Sequence, residues 1–213
     1  LRADGVHLEG IFHLAHGFKD SSIKTQTAEN FAFTFASKVH GGQTLHAGTD
    51  AAALRYFNLF GSIAGLLGSA FQAPHSTSSS WTPAMARFRR RLGLSGQAVE
   101  WGAVEEIGFA ARAGAAERSE AAGGGAVKLS FAITALGAML LPDSRTFAVM
   151  GIVWSKLLLG ATVAFGLMAP YFHLRGRAAP AKAARASGIA AKPQDATVGN
   201  QLEVVLQIVA DTA

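Results

Sequence analysis

Over roughly the first hundred residues, short apolar runs alternate with longer amphipathic stretches, and the alternation predicts a strand–helix–strand–helix–strand order. Ile11-Phe12-His13-Leu14-Ala15, entered from Gly10, reads as the first strand. From about Thr27 to Val39, Phe31, Phe35 and Lys38 recur three and four residues apart, the spacing of one helix face. Tyr56-Phe57-Asn58-Leu59-Phe60 is the second strand, closed by Gly61. A helix-compatible stretch then runs to Arg91 and stops at Gly93. Its last turn holds Arg87, Arg89, Arg90 and Arg91, where the helix dipole favours cations. Gln97 to Trp101 is the third strand. Strands separated by helices at this spacing imply an α/β chain with a parallel sheet and helices packed on it.

Beyond this the pattern changes. The Ala/Gly-rich segment 113–126 reads as a surface loop, Val127 to Leu141 as a helix stopped by Pro142-Asp143, and Phe147 to Val153 as a last strand. Leu157 to Leu174 carries no charge, but Gly160, Gly166 and Pro170 interrupt it, so packing against the sheet is expected rather than a membrane span. Residues 175–199 have the Ala/Pro/Lys-rich composition of a linker. From Gln201, the residues Leu202, Val205, Leu206 and Val209 begin an amphipathic helix.

Composition narrows the class. Half the chain is apolar and 15% is charged, which excludes a disordered tail, and the absence of cysteine excludes disulfide scaffolds and thiolate metal sites. The net charge of +5 is not spread evenly. Arg175, Arg177, Lys182, Arg185 and Lys192 fall together without an acid, whereas Asp195, Glu203 and Asp211 follow without a base. That basic stretch lacks aromatics on which bases stack, so it reads as a solvated linker and no nucleic-acid partner is expected. The chain opens on Leu1 with no charged segment leading into an apolar core. We read no signal peptide, a fragment or processed product, and a cytoplasmic setting.

Three segments could carry chemistry. His13-Leu14-Ala15 ends a strand, where a doubly wound sheet opens its ligand crevice. Lys38-Val39-His40-Gly41 leads to Leu45-His46. Ser62-Ile63-Ala64-Gly65-Leu66-Leu67-Gly68-Ser69-Ala70-Phe71-Gln72-Ala73 follows the second strand, and its glycines do not make G-x-G-x-x-G. His13/His16 and His40/His46 lack a third ligand at metal spacing, so no metal site is expected. Glu105-Glu106 reads as a solvated pair, since adjacent side chains point apart.

Taken together, these segments resemble the ketoreductase domain of a modular polyketide synthase, a branch of the short-chain dehydrogenase/reductases. The likeness rests on "GIFHLA" from Gly10, on Lys38 to His46, on "SIAGLLGSAFQA" at Ser62–Ala73 and on "WGAVEEIGFAAR" at Trp101–Arg112. It continues more weakly through "VMGIVWSKLL". Residues 201–213 resemble the start of an acyl carrier domain. The resemblance divides the chain into 1–174, the C-terminal catalytic half of a ketoreductase; 175–199, a linker; and 200–213, the first helix of a carrier domain. The fold it implies is a partial Rossmann-like parallel sheet with flanking helices, its N-terminal cofactor-binding half missing.

What the resemblance implies about activity is NADPH-dependent reduction of a carrier-bound β-ketoacyl thioester to the β-hydroxyacyl form. Family members use a Tyr phenol as proton donor, a Lys ammonium that lowers its pKa, a Ser hydroxyl that binds the carbonyl, and an Asn four residues after the Tyr. Carried over, the Lys falls on Lys38 and the Ser on Ser62, while the Tyr position holds His75 and the Asn position Ser79. Cofactor contacts are implied at His13, Ala15, Trp101 and Gly102.

Imidazole would leave its nitrogen roughly 2 Å short of a phenol oxygen, and misplacements of about 1 Å can cost on the order of 10²-fold. A nearby Lys38 would also hold His75 neutral, the poorer acid. Pro83 adds a second difficulty. Either the helix runs through it and loses the hydrogen bond to the Ser79 carbonyl, or the helix starts anew with Thr82 as cap. The loop that often reads Leu-Asp-Asp is Phe18-Lys19-Asp20, and Leu67 stands where one stereochemical class carries Trp. The expectation is an impaired reductase fragment that alone holds NADPH poorly. The alternative is a reductase-inactive scaffolding domain. The expected partners are an acyl carrier domain of the same polypeptide and other synthase domains, with no membrane.

Overall fold

In the computed structural model, residues 7–49, 53–105, 124–141 and 146–152 are described. The expected α/β architecture is present. Four parallel strands form the sheet: β1 (Gly10–His13), β2 (Tyr56–Ser62), β3 (Gln97–Trp101) and β5 (Phe147–Val149), in the order β1-β2-β3-β5. The ladders pair His13 with Leu59, Ser62 with Trp101, and Trp101 with Val149. The helices are α1 (Ala28–Phe35), α2 (Gly41–Ala47), the short α3 (Ala64–Leu67), α4 (Ala73–Arg91) and α5 (Leu129–Ala138). A small antiparallel pair joins β4 (Gly124–Gly125) to β6 (Gly151–Ile152).

The central strands are buried on both faces, as a parallel sheet requires. Alternation assigns the faces. Phe57, Leu59 and Ala98 pack with Met85 and Ala86 of α4, with Leu54 beneath them. Val99 and Val149 pack with Ala132, Ala135 and Met139 on the α5 side. On that second face the Phe60 and Trp101 rings stack at 6.1 Å.

Several boundaries differ from those expected. The first strand closes at His13 rather than Ala15, and the second runs on to Ser62. The helix expected to end at Val39 continues to Ala47 through a π-turn at Ala36–His40, in which the Gly41 N–H reaches back five residues to the Ala36 carbonyl. The helix expected over 127–141 spans Leu129–Ala138. Of the segment expected as a loop over 113–126, Gly124 and Gly125 form a strand instead, pairing with Gly151–Ile152 across bare glycine backbone. That pairing also splits the strand expected over 147–153 in two.

α4 is one continuous helix of 19 residues with Pro83 inside it, which decides between the two readings of that proline. It ends as anticipated, with Gly93 at φ 74 and the Leu94 N–H bonded back to the Arg89 carbonyl at 3.0 Å. The arginine cluster is not only a charged terminus. Arg89 is wholly buried, its Nε donating to the Ser95 carbonyl at 2.6 Å, its Nη1 to His46 Nδ1 at 2.8 Å, and its guanidinium lying 3.7 Å from the Phe57 ring centroid. The uncharged stretch 157–174, the linker 175–199, the carrier-like residues 200–213, Glu106 and Arg112 lie outside the described residues.

Candidate active site

The site is built where β1, β2 and β3 end, and each functional side chain arrives by a different route. Lys38 comes from the π-turn between α1 and α2. π-bulges frequently accompany functional sites, because the wider turn re-aims a side chain without ending the helix. His13, from the last position of β1, is buried against this turn, its Nε2–H donating to the Lys38 carbonyl at 3.0 Å. The Lys38 side chain is buried too, and its Nζ donates to the Phe60 carbonyl at 3.3 Å and to Ser79 Oγ at 3.2 Å. Burial pushes this ammonium down to about 8, partly offset by the nearby Glu100 carboxyl.

α4 supplies the facing wall with His75, Ser78, Ser79 and Thr82, all buried. His75 is held down at about 3, first by burial, then by the charges of Lys38 and His16. Its Nδ1 is buried without a hydrogen-bond partner, and its ring lies 4.5 Å from Phe18. The Phe18-Lys19-Asp20 segment is strapped to the loop before α4: Gln72 Nε2 donates to Asp20 Oδ2 at 2.7 Å and the Ser21 N–H to the Phe71 carbonyl at 2.9 Å. Phe71 adopts a φ of 64, a left-handed conformation costly for a bulky residue, and this bracing holds it.

Ser62 closes β2. Its hydroxyl accepts the Ala64 N–H at 3.2 Å, and its own N–H donates to Glu100 Oε2 at 2.8 Å. The next turn, α3, approaches α4 closely: a Cβ on Gly65 would stand 2.7 Å from the Ser80 nitrogen. Glycine there lets the turn after Ser62 lie directly against the Ser79–Ser80 backbone of α4.

Lys38 and Ser79, 41 positions apart in the chain, are thus in contact, and His75 lies within reach of the Lys38 charge. Ser62 sits one strand end away, on the backbone that carries the Phe60 carbonyl. Ala15 follows β1, Trp101 ends β3 and Gly102 follows it, with the Gly102 N–H donating to the Val149 carbonyl at 2.7 Å. Trp101 Nε1 is buried and has no partner.

Two participants were not singled out from the sequence. One is Glu100, a carboxyl 1% exposed that links Ser62 to α4; an acid inside a central strand was the available signal. The other is Thr82, which the sequence offered only as a helix cap before Pro83, a role that the unbroken α4 removes. Among the described residues no group of three or more His, Asp or Glu side chains could hold a metal ion. Among them, too, no helix is long and apolar enough to cross a membrane.

A parallel sheet with helices on both faces, and a buried lysine meeting a helix wall at its carboxyl edge, defines a Rossmann-like α/β domain. Residues 1–106 match the family described as the KR domain, and the chain belongs to that family. It is similar to the phthioceranic/hydroxyphthioceranic acid synthase of Mycobacterium tuberculosis, 39% identical over 106 residues, which are 50% of this chain and 5% of that synthase. It is also similar to the squalestatin tetraketide synthase of a Phoma species, 32% identical over 119 residues, 55% of this chain and 5% of the other. Among solved structures, an A-type ketoreductase from a modular polyketide synthase superposes with a TM-score of 0.71 at 27% identity, covering 76% of this chain and 34% of that one. The first ketoreductase of the tylosin synthase does so with a TM-score of 0.64 at 31% identity, covering 75% and 34%. The chain therefore spans about a twentieth of the synthases and a third of the ketoreductases it matches.

NADPH is the cofactor that the family implies. Among the described residues no strand–turn–helix carries the glycine spacing that seats a pyrophosphate.

Proposed function

We propose that the chain is the catalytic part of a polyketide synthase ketoreductase domain, acting on a carrier-bound β-ketoacyl thioester. NADPH, when bound, supplies the hydride that reaches the ketone carbon. Ser62 hydrogen-bonds the ketone oxygen as negative charge develops on it. The Lys38 ammonium, fixed between the Phe60 carbonyl and Ser79, adds positive potential at that oxygen. His75 stands where the proton for the nascent alkoxide must come from, and Ser79 holds Lys38 in place of the family's Asn. His13, Ala15, Trp101 and Gly102 border the cofactor edge. The observation that carries this reading is the Lys38–Ser79 contact at 3.2 Å, which brings two positions of the family tetrad together. An acyl carrier domain of the same polypeptide, its first helix beginning at 200–213 after the linker 175–199, is the partner that would deliver substrate.

One observation favours a second reading. A histidine held at about 3 is neutral at physiological pH, and a neutral imidazole is a poor acid. The domain then serves as a reductase-silent scaffold among the synthase domains. The deciding experiment follows NADPH oxidation with a β-ketoacyl thioester, in the full polypeptide and in its His75→Tyr/Ser79→Asn variant. Turnover in the parent supports the reductase. Turnover gained only in the variant supports the scaffold. Turnover in neither overturns the placement of His75 at the proton-donor position.

A further inference from the structure

We propose that Glu100 is a proton-bearing positioning residue, whose carboxyl donates from Oε1 to Thr82 Oγ1 while Oε2 accepts the Ser62 N–H. The role assigned to Ser62 rests on the ketoreductase reading above, while the proton on Glu100 stands apart from it. Thr82 Oγ1 lies 2.7 Å from the Ser79 carbonyl oxygen and 2.7 Å from Glu100 Oε1. A hydroxyl has one proton to give. The Ser79 carbonyl can only accept, and Pro83 has removed the helix N–H that would ordinarily reach it. If Thr82 donates to that carbonyl and Glu100 were ionised, two oxygen acceptors would face each other at hydrogen-bond distance with no proton between them. A protonated Glu100 resolves the conflict, because each contact then holds one proton: Glu100 to Thr82, and Thr82 to Ser79.

The surroundings favour the neutral acid. Glu100 is 1% exposed, and its carboxyl lies directly over Gly61, where any Cβ would collide with both of its oxygens. The groups facing it are Ser62 from β2, Thr82 from α4 and the Lys38 ammonium from the π-turn. Burial nonetheless outweighs all three and raises the carboxyl to about 7. Through Oε2 the clamp holds the backbone of Ser62, and through Thr82 it holds the α4 turn that carries Ser79. Glu100 thus positions Ser62 and, through Thr82, the turn whose Ser79 meets Lys38. The folded pKa lies above the unfolded one, so this contribution is complete below the usual carboxyl range and is lost as pH rises toward 7.

The test is a ¹³C NMR pH titration of glutamate side-chain carboxyls in the full chain, with Glu100→Gln and Glu100→Ala alongside. Glutamine reproduces the neutral acid, its carbonyl accepting from Ser62 and its NH₂ donating to Thr82. One signal is expected to titrate near 7 and to be missing from Glu100→Gln. That variant should unfold at the wild-type denaturant midpoint below neutrality, while Glu100→Ala unfolds earlier. Titration of every glutamate in the ordinary acid range, or failure of Glu100→Gln to fold, overturns the proposal. Where turnover is measurable, Glu100→Gln should also lack any loss of kcat that the wild type shows above about 7, and a shared loss counts against the proposal. Absent turnover would count against the ketoreductase reading, while the titration would still decide the proton on Glu100.

Discussion

On the C-terminal side of Pro83, α4 presses Met85 and Ala86 onto Phe57, Leu59 and Ala98. On its N-terminal side the same helix turns His75, Ser78, Ser79 and Thr82 toward the same sheet, equally hidden from solvent. The first half gains from removing apolar surface from water, which needs no directionality. The second half removes polar atoms from water, and it holds only because they meet partners: Lys38 on Ser79, Glu100 on Thr82, the Ser78 hydroxyl on the His75 carbonyl at 3.1 Å. Even the apolar half carries one polar group of this kind, Arg89 over the Phe57 ring. The contrast teaches that equal burial along one helix can mark a core at one end and chemistry at the other. The difference lies in whether buried groups are left with tasks beyond packing: His75 Nδ1 has no partner, and Lys38 and Glu100 are moved toward neutrality.

The largest effect belongs to the apolar half. Phe57→Ala should lower the unfolding free energy by about 3–5 kcal/mol in urea denaturation, since it opens a cavity and removes the surface on which Arg89 lies. A loss under about 1 kcal/mol would mean that this half is not the stabilising one. Of similar size is the response to acid. The His75 pKa is depressed from 6.5 to about 3, so its contribution is present above 6.5 and is lost as pH falls toward 3. We expect about 4–5 kcal/mol to disappear across that window in stability measured by denaturation, and a flatter profile in His75→Phe. Equal slopes in the two proteins would remove His75 from the polar half.

Smaller again is Thr82→Val, which leaves the Ser79 carbonyl and Glu100 without their shared hydroxyl. About 1–3 kcal/mol should be lost, against under about 0.5 for Ser80→Ala on the exposed side of the same turn. The smallest effect is predicted at the boundary itself. An interior proline usually costs a helix about 3 kcal/mol, yet Pro83→Ala should change stability by less than about 1 kcal/mol. Thr82 already satisfies the carbonyl that Pro83 leaves open. A large stabilisation on Pro83→Ala would show that it does not.

Central parallel strands declare themselves in a sequence because both their faces are covered, which is why 56–60 was readable as a largely apolar run and 97–101 as the strand after the next helix. The roles of Lys38, Ser62, His75 and Ser79 as one site were assignable only through family resemblance, since residues tens of positions apart carry no local sign of meeting. The resemblance also hid something: it supplied roles for four positions and drew attention from Glu100, a residue that no motif features. The π-turn escaped for a different reason. A five-residue reach of one hydrogen bond costs little, and here it goes with the His13 contact from another strand.

What the order of residues decided was the alternation of strands and helices, their approximate limits and the end of α4 at Gly93. These depend on neighbours within a turn or two, through periodicity, capping and backbone freedom. What folding alone decided was the protonation and direction of the polar groups. Whether Lys38, His75 and Glu100 are charged depends on how much water and which atoms surround them. Those surroundings assemble only when π-turn, strand ends and helix close around one another.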